Sequence, residues 1–239
     1  MIKINNLQKS YGSNEVLRGL DLEVEKGSIY GIVGTNGAGK TTLLEIMTGF
    51  TKADSGTMTI DGVKVTNQSD TPEQLSFIPD TPALYEYLSG EEYLLFAASM
   101  FDIPKGERKS LADKFLHLFG LNSARNELIK TYSNGMKQKI SIAAAIINDP
   151  KIILLDEPLT GIDMISTQVI KEYLQDFSKE NTVVLTTHLI ELAHSLCDKI
   201  GILHNGEIVE EFSTSATNIR SLEEHIREVY IQRGNDYAG

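Results

Sequence analysis

The chain has 239 residues with one cysteine and no tryptophan, and its 33 acidic against 22 basic side chains give a formal net charge of −11. Cys197 has no second cysteine to pair with, which excludes a disulfide scaffold and favours a reduced, cytoplasmic environment. The acidic balance argues against a nucleic-acid partner, because binding of a phosphate backbone depends on clustered Lys and Arg. The apolar runs are far shorter than the ~20 residues that span a bilayer, so we expect no direct insertion into lipid.

The first quarter of the chain predicts strands around one helix. Alternating apolar and polar residues over Ile2–Val24, interrupted at Gly12, predict two strands joined by a turn. The short apolar run Ile29–Val33 predicts a buried central strand, and a helix is predicted over Lys40–Thr48. A hairpin is predicted around the dipeptide Asp61-Gly62.

The middle of the chain changes to a helical pattern. Ser89 and Glu92 have the spacing of a capping box, which predicts a helix over Tyr93–Phe101, and Leu111–Phe119 carries a second amphipathic stripe. Strand signals then return three times, separated by helical stretches: Ile152–Leu155, Val183–Thr186 and Ile200–Leu203. Such βα alternation is typical of a mostly parallel sheet.

These elements predict an α/β fold that forms one domain over residues 1–239. Its parts are a core with a mostly parallel sheet, an N-terminal antiparallel β subdomain and a helical subdomain inserted at about 83–145. Residues 206–239 are expected to form a C-terminal extension with a short helix, opened by a capping box of Ser221 and Glu224.

The segment from Gly34 to Thr41 reads Gly-Thr-Asn-Gly-Ala-Gly-Lys-Thr, which is the phosphate-loop pattern G-x-x-x-x-G-K-[ST]. It follows a predicted buried strand and opens a predicted helix, as the mechanism requires. Its backbone amides can wrap phosphates, Lys40 can reach the terminal phosphates, and the Thr41 hydroxyl is a ligand for Mg²⁺. The candidate nucleotide ligands are Gly34, Thr35, Asn36, Gly37, Ala38, Gly39, Lys40, Thr41 and the adjacent Thr42.

Two carboxylates, Asp156 and Glu157, end the predicted strand Ile152–Leu155. Side chains alternate along a strand, so the two carboxylates cannot share one role. One can hold Mg²⁺ while the other polarises an attacking water. His188 follows another predicted strand at the same kind of edge, where it is either a packing or capping residue or a contact to the γ-phosphate.

Together these motifs resemble the ATP-binding subunit of ABC transporters, and the resemblance covers nearly the whole chain. It implies that Asp156 is the Mg²⁺-side carboxylate, that Glu157 is the general base, and that His188 is the switch histidine. Tyr11 stands where the family has an aromatic residue that stacks on adenine. The alternative is an exposed aromatic residue of a surface loop. Leu159–Asp163 matches the family's D-loop.

The segment Tyr132–Gln138 resembles the signature motif, usually Leu-Ser-Gly-Gly-Gln, with two departures. Asn134 replaces the first glycine, and Met136 stands where glutamine is common. Ser133 can still donate to a phosphate and Gly135 can let the backbone approach the nucleotide, ahead of a helix beginning near Met136.

Asp80 stands where the family's Q-loop has glutamine. As a carboxylate it is a candidate ligand of Mg²⁺, and the alternative is a tight turn in which Asp80 bonds its own backbone.

The resemblance implies a motor subunit that binds ATP with Mg²⁺, pairs with a second ATPase subunit as a homodimer or heterodimer, and drives a separate membrane permease. Such a subunit would lie in the cytoplasm, held on the inner face of the membrane by the permease. The run Pro79–Glu86 resembles bacterial drug and bacteriocin exporters more than importers. The alternative is an ABC-type ATPase that acts on a soluble partner. A small-molecule kinase would have no reason to carry the signature or the D-loop.

Overall fold

The computed structural model describes residues 2–235, with side chains described up to residue 231. Ten strands are present in this part of the chain: β1 Ile2–Tyr11, β2 Asn14–Val24, β3 Ile29–Val33, β4 Ser55–Ile60, β5 Val63–Lys64, β6 Leu75–Ile78, β7 Ile152–Asp156, β8 Thr182–Thr187, β9 Lys199–His204 and β10 Glu207–Ser213. Seven α-helices accompany them: α1 Lys40–Met47, α2 Gly90–Met100, α3 Lys105–Leu118, α4 Asn134–Ala145, α5 Met164–Phe177, α6 Ile190–Leu196 and α7 Ile219–Asn235. Three short 3-10 turns occur at Gln68–Asp70, Asn122–Ala124 and Ile129–Thr131.

The chain folds as two compact units. The first unit combines residues 1–72 with residues 182–239, and the second comprises residues 73–181. The single-domain description with an insertion at 83–145 stays a prediction. Of the predicted extension 206–239, residues 236–239 lie outside the described residues, as does Met1 of the N-terminal segment.

The first unit contains an antiparallel sheet in the order β2-β1-β4-β5 and a run of strands in the order β10-β9-β3-β8. In the second run β3 pairs in parallel with both β8 and β9, while β10 pairs antiparallel with β9. All five residues of β3 and all six of β8 are buried, as expected of parallel strands covered on both faces. The predicted α/β fold with a mostly parallel sheet and an N-terminal antiparallel part is therefore confirmed.

The predicted hairpin forms between β4 and β5, and its turn residues Asp61 and Gly62 both have positive φ. Two-residue hairpin turns of this kind require such backbone angles, which is why Asp-Gly is a strong signal.

In the second unit β6 pairs in parallel with β7, and α2 packs against α3 and α4. The predicted capping box opens α2, because the Ser89 hydroxyl accepts a bond from the Glu92 backbone amide at 3.3 Å and the Glu92 carboxylate accepts one from the Ser89 amide at 2.8 Å. The bond from the Ser89 amide, together with the Ser89 side chain, lowers the pKa of the Glu92 carboxyl. Arg125 joins the helices by pairing with Glu91 at 3.0 Å and with Asp113 at 2.6 Å.

The C-terminal prediction was wrong in one respect. α7 spans 17 residues instead of forming a short helix, and it begins at Ile219, before the proposed capping box. The reason is Asn218, whose side-chain oxygen accepts a bond from the Ser221 amide at 2.9 Å and so caps the helix one turn earlier.

One close approach fixes the start of α2. The buried Tyr132 donates its hydroxyl to the Ala124 carbonyl at 2.8 Å, and this hydroxyl oxygen fills the space where a Cβ of Gly90 would stand. A side chain at position 90 would therefore overlap the hydroxyl of Tyr132, whose ring is buried and held by this bond.

We expect Gly90→Ala to lower the free energy of unfolding by about 1–3 kcal/mol, because it overfills a packed site. Gly106→Ala is the matched control: Gly106 lies in α3 with no atom within 4 Å of where a Cβ would stand, so it should be neutral or stabilising by up to about 1 kcal/mol. Denaturant melts measure both changes. The double variant Gly90→Ala/Tyr132→Phe should lose no more free energy of unfolding than Tyr132→Phe alone, because the overlapping hydroxyl is gone. Additive losses of stability would refute the overlap.

Candidate functional site

The phosphate loop lies between β3 and α1 in the first unit, as predicted. Gly37 and Gly39 adopt φ of 84° and 107°, angles that residues with a Cβ rarely take. A Cβ at Gly39 would also lie 2.9 Å from the Leu17 side chain. Gly39 is the N-cap of α1 and has no side chain to cap the helix, so the amides of the first turn are left to bind a phosphate.

Lys40, the first residue of α1, is 7% exposed, and its ammonium is held inside the loop. Nζ donates to the Gly34 carbonyl at 2.9 Å and to the Thr35 carbonyl at 3.3 Å. The Thr35 carbonyl also accepts a bond from the Ala38 amide at 3.2 Å, which closes the turn of the loop. The loop thus carries a positive charge at a fixed place beside the start of α1. Thr41, the proposed metal ligand, is exposed at the start of the helix.

His188 directly follows β8, at the same edge of the sheet as the phosphate loop. The Gly34 amide donates to the Thr187 carbonyl at 3.3 Å, which ties the two loops together. The Leu189 amide donates to the Thr187 hydroxyl at 3.0 Å and fixes the backbone on the other side of His188. The structure therefore brings His188 and the loop to one edge, and its contact with a phosphate remains a prediction.

Tyr11 ends β1 in the same unit, and half of its surface is exposed. The Lys9 ammonium lies 5.1 Å from the centre of its ring. An exposed ring on an ordered strand end can stack on a base, so the adenine role stays a prediction for this residue.

In the second unit Asp156 is buried at the end of β7, while Glu157 has a φ of 46°. Positive φ is uncommon outside glycine and costs energy that the surrounding structure must hold. Two bonds from Thr160 stabilise this backbone conformation. The Thr160 amide donates to the Glu157 carbonyl at 3.2 Å, and the Thr160 hydroxyl donates to Glu157 Oε2 at 3.1 Å. The chain thus leaves the extended conformation of β7 at Glu157, and the separate roles of the two carboxylates stay a prediction.

The signature segment begins α4 differently from the prediction. The helix starts at Asn134 and not near Met136, because Ser133 is its N-cap and accepts a bond from the Met136 amide at 3.2 Å. Ser133 and Asn134 are exposed. The cap uses Ser133 as an acceptor, so its hydroxyl hydrogen can still be donated to a ligand.

Gly135 permits a close approach between this helix start and the D-loop. A Cβ there would lie 2.7 Å from Asp163 Oδ2 and 3.0 Å from Ser166 Oγ. Asp163 is itself the N-cap of α5 and accepts a bond from the Ser166 amide at 2.9 Å. Bonds from the Ser166 side chain and backbone lower the pKa of Asp163, so the carboxylate form is favoured.

Asp80 lines a cavity of about 570 Å³ within the second unit. Across this cavity Lys137 pairs with Glu86 at 2.6 Å, and the buried Gln138 has a side-chain amide nitrogen with no partner among the described residues. Sequence reasoning missed this ion pair, since 51 positions separate its members.

Within residues 2–235 no cluster of three or more His, Cys, Asp or Glu side chains is arranged to hold a metal ion.

The sequence profile of the ABC transporter family matches residues 17–160. That range is more than half of the chain and contains the phosphate loop, the signature turn and both strand-end carboxylates. The chain belongs to the ABC transporter family. Within it, the chain is one of the ATP-binding subunits that hydrolyse ATP.

Three relatives of this ATPase are proteins of antimicrobial transport or resistance. The bacitracin transport ATP-binding protein BcrA of Enterococcus faecalis is 35% identical over 224 residues, which cover 92% of this chain and 72% of the relative. The lantibiotic transport ATP-binding protein SrtF of Streptococcus pyogenes is 32% identical over 212 residues, covering 88% and 90%. The linearmycin resistance ATP-binding protein LnrL of Bacillus subtilis (strain 168) is 34% identical over 211 residues, covering 87% and 68%.

Two solved structures share the fold of this ABC ATPase. An ATP binding subunit of an ABC transporter matches with a TM-score of 0.83 and 27% identity, covering 95% of this chain and 99% of the other. A dimeric ATP-binding cassette in a post-hydrolysis state, bound to ADP and phosphate, matches with a TM-score of 0.80 and 26% identity, covering 90% and 99%.

Proposed function

We propose that this chain is the motor subunit of an ABC exporter, which closes as a dimer on ATP and drives a separate membrane permease. The observation that carries the proposal is a phosphate loop, two strand-end carboxylates and a signature-like segment in a chain whose relatives are named for transport of, or resistance to, antimicrobial compounds. Export of a compound of that class is the substrate assignment we make. A soluble partner is disfavoured because those relatives are transport or resistance proteins.

The nucleotide-binding part of the proposal rests on the phosphate loop. The backbone amides at the start of α1 and the fixed ammonium of Lys40 suit the β- and γ-phosphates, and Tyr11 would stack on the adenine. The remaining ligands in this assignment are Gly34, Thr35, Asn36, Gly37, Ala38, Gly39, Thr41 and Thr42.

Mg²⁺ is assigned to the oxygen donors Thr41 and Asp156, with Asp80 as a third candidate. Mg²⁺ usually keeps several waters and binds one or two carboxylates together with substrate phosphates.

Hydrolysis requires a base for the attacking water, and Glu157 is the residue we assign. Its strained turn and its bond from Thr160 give the carboxylate a defined direction. His188 is assigned to contact the γ-phosphate from its position after β8.

Dimer closure is supported by exposed groups in the second unit. The start of α4 presents the exposed Ser133 and Asn134, and a helix start attracts a phosphate from a second subunit. Nearby in sequence, Met164 and Ile165 are 87% and 77% exposed at the start of α5. Large apolar side chains this exposed suit burial against a partner subunit.

The permease contact is assigned to an exposed apolar group on the second unit. Tyr85 packs its ring edge-on against Phe96 at 5.0 Å, and the Lys130 ammonium lies 5.2 Å from the ring centre of Tyr87. Large exposed side chains here are Tyr85, Tyr87, Phe96, Met100 and Phe101. Aromatic residues are enriched at binding hot spots, so this group is our docking surface.

Within residues 2–235 no helix has the length and hydropathy of a membrane span. We place the chain at the inner membrane face through this contact.

Glu157→Gln tests the proposed function. The change keeps size and hydrogen bonding but removes the base, so ATP hydrolysis should fall by a factor of ~10²–10⁴ while ATP binding persists. The trapped species should be a dimer in size-exclusion chromatography with ATP and Mg²⁺, and a monomer with ADP. Glu107→Gln, on the exposed face of α3, is the matched control and should hydrolyse ATP like the wild type. A monomeric Glu157→Gln with near wild-type turnover would reject both the base and the dimer.

Asp80 gives a second test, because a metal ligand and a turn residue respond differently to substitution. If Asp80 is a Mg²⁺ ligand, Asp80→Ala should raise the Mg²⁺ concentration for half-maximal ATPase activity roughly tenfold. Asp80→Gln should bring this concentration most of the way back to the wild-type value. Mg²⁺ titrations with melting curves alongside measure this. If Asp80→Asn is silent while Asp80→Gln loses thermal stability without a change in Mg²⁺ dependence, Asp80 is only a turn residue.

A further inference from the structure

The end of β1 that carries Tyr11 extends beyond the pairing of β1 with β4. That pairing ends where Gln8 meets Ser55. On the other side β1 still pairs with β2, but the register shifts between Lys9 and Ser10. The sheet therefore supports this strand end less than the rest of β1, and other contacts must satisfy its backbone groups and hold the direction of Tyr11.

Asp54, the residue before β4, supplies these contacts. Its Oδ2 accepts a bond from the Ser10 amide at 2.6 Å, and its Oδ1 accepts one from the Lys9 ammonium at 3.2 Å. The Asp54 amide in turn donates to the Gln8 carbonyl at 2.9 Å. Bonds from the Ser10 amide and from Lys9 lower the pKa of the Asp54 carboxyl, which favours the carboxylate. One side chain thus holds the two residues that precede Tyr11.

The Lys9 ammonium links Asp54 to the Tyr11 ring. It lies over that ring, 5.1 Å from the ring centre, which is within the range of a cation–π contact. The Lys9 side chain is only 14% exposed, whereas lysine side chains usually extend into water. Tyr11 is still half exposed, so the face opposite the ammonium can receive a base.

We propose that Asp54 is a positioning residue for nucleotide binding, which acts through Lys9 and the Ser10 amide to hold the Tyr11 ring where the adenine of ATP stacks. This role rests on the proposed nucleotide site, with Tyr11 as its contact to adenine. Asp54 acts on the base through Tyr11 and does not act on the phosphates, so its effect should appear only with ligands that carry a base.

The test compares ATP with inorganic tripolyphosphate, both titrated by calorimetry without Mg²⁺ to prevent hydrolysis. In Asp54→Ala the dissociation constant of ATP should rise about two- to fivefold, the range that a partly exposed ion pair carries. The dissociation constant of tripolyphosphate should stay unchanged, because this ligand has no base. Asp21→Ala is the matched control: Asp21 is exposed and also accepts a β1 amide, that of Asn6 at 2.8 Å, and its loss should change neither constant.

A Tyr11→Ala background tests whether Asp54 acts through the ring. Tyr11→Ala alone should weaken ATP binding, and adding Asp54→Ala should weaken it no further. The positioning role is overturned by a further loss in this background, by an unchanged ATP constant in Asp54→Ala, or by an equal loss of tripolyphosphate affinity. Should Asp54→Ala fail to fold, Lys9→Met makes the same comparison, because it removes the ammonium that links Asp54 to the ring.

Two other results would overturn the proposed nucleotide site itself. If Tyr11→Ala binds ATP as tightly as the wild type, Tyr11 is not the adenine contact, and Asp54 loses its role with it. If Lys40→Met binds tripolyphosphate as tightly as the wild type, the phosphate loop does not hold the phosphates.

Discussion

The hydrogen bonds from the Lys40 ammonium to the carbonyls of Gly34 and Thr35 are the interaction on which the functional part of the first unit depends. A buried ammonium is costly unless hydrogen bonds hold it, and here the acceptors belong to the loop that surrounds it. The loop can close around Lys40 only because Gly37 and Gly39 take positive φ. The backbone amides at the start of α1 follow directly after these turns. Charge and donors for a phosphate are thus in place before the nucleotide arrives, and little reorganisation is needed on binding.

The loop depends in turn on the elements that fix its ends. The Thr187 carbonyl at the end of β8 holds the Gly34 amide, and β9 lies against Gly34 from the other side. The buried parallel pairing of β3 with β8 and β9 keeps these strand ends level at one edge of the sheet. The C-terminal helix α7 contacts the end of β9, because the Tyr230 ring meets the His204 ring edge-on at 5.0 Å.

In the second unit, motif residues also stabilise the starts of two helices. Ser133 and Asp163 each cap a helix with their side chains, and Gly135 lets the two starts come within contact distance. The motif residues therefore have structural roles that do not interfere with their proposed roles toward ATP. The strain at Glu157 is a different case, because a positive φ outside glycine costs energy that the surrounding structure must hold. We infer that its purpose is to aim the carboxylate.

Local features were predictable from the sequence because each depends on neighbouring residues. The phosphate loop, the Asp61-Gly62 hairpin and the Ser89 capping box all follow from spacing and turn chemistry. The start of α7 was not predicted, because two caps competed and Asn218 prevailed over Ser221. The ion pair of Glu86 with Lys137 and the ring contact of Tyr230 with His204 join distant positions. Nothing in a single sequence marks such pairs, since their spacing is set by packing.

The most direct test of the role of Lys40 is the stabilisation by ATP of wild-type protein and Lys40→Met, measured by thermal melting with and without nucleotide. Methionine keeps the length and the apolar stem of lysine and removes the ammonium. Each protein is compared with its own melting temperature without nucleotide, because Lys40→Met leaves the carbonyls of Gly34 and Thr35 without their donor. At ATP concentrations of about 100 times the dissociation constant, the wild type should gain roughly 2.7 kcal/mol, and Lys40→Met should gain almost nothing. An equal gain in both proteins would show that ATP binds without the ammonium that the loop is built to hold, and would contradict the role given to Lys40.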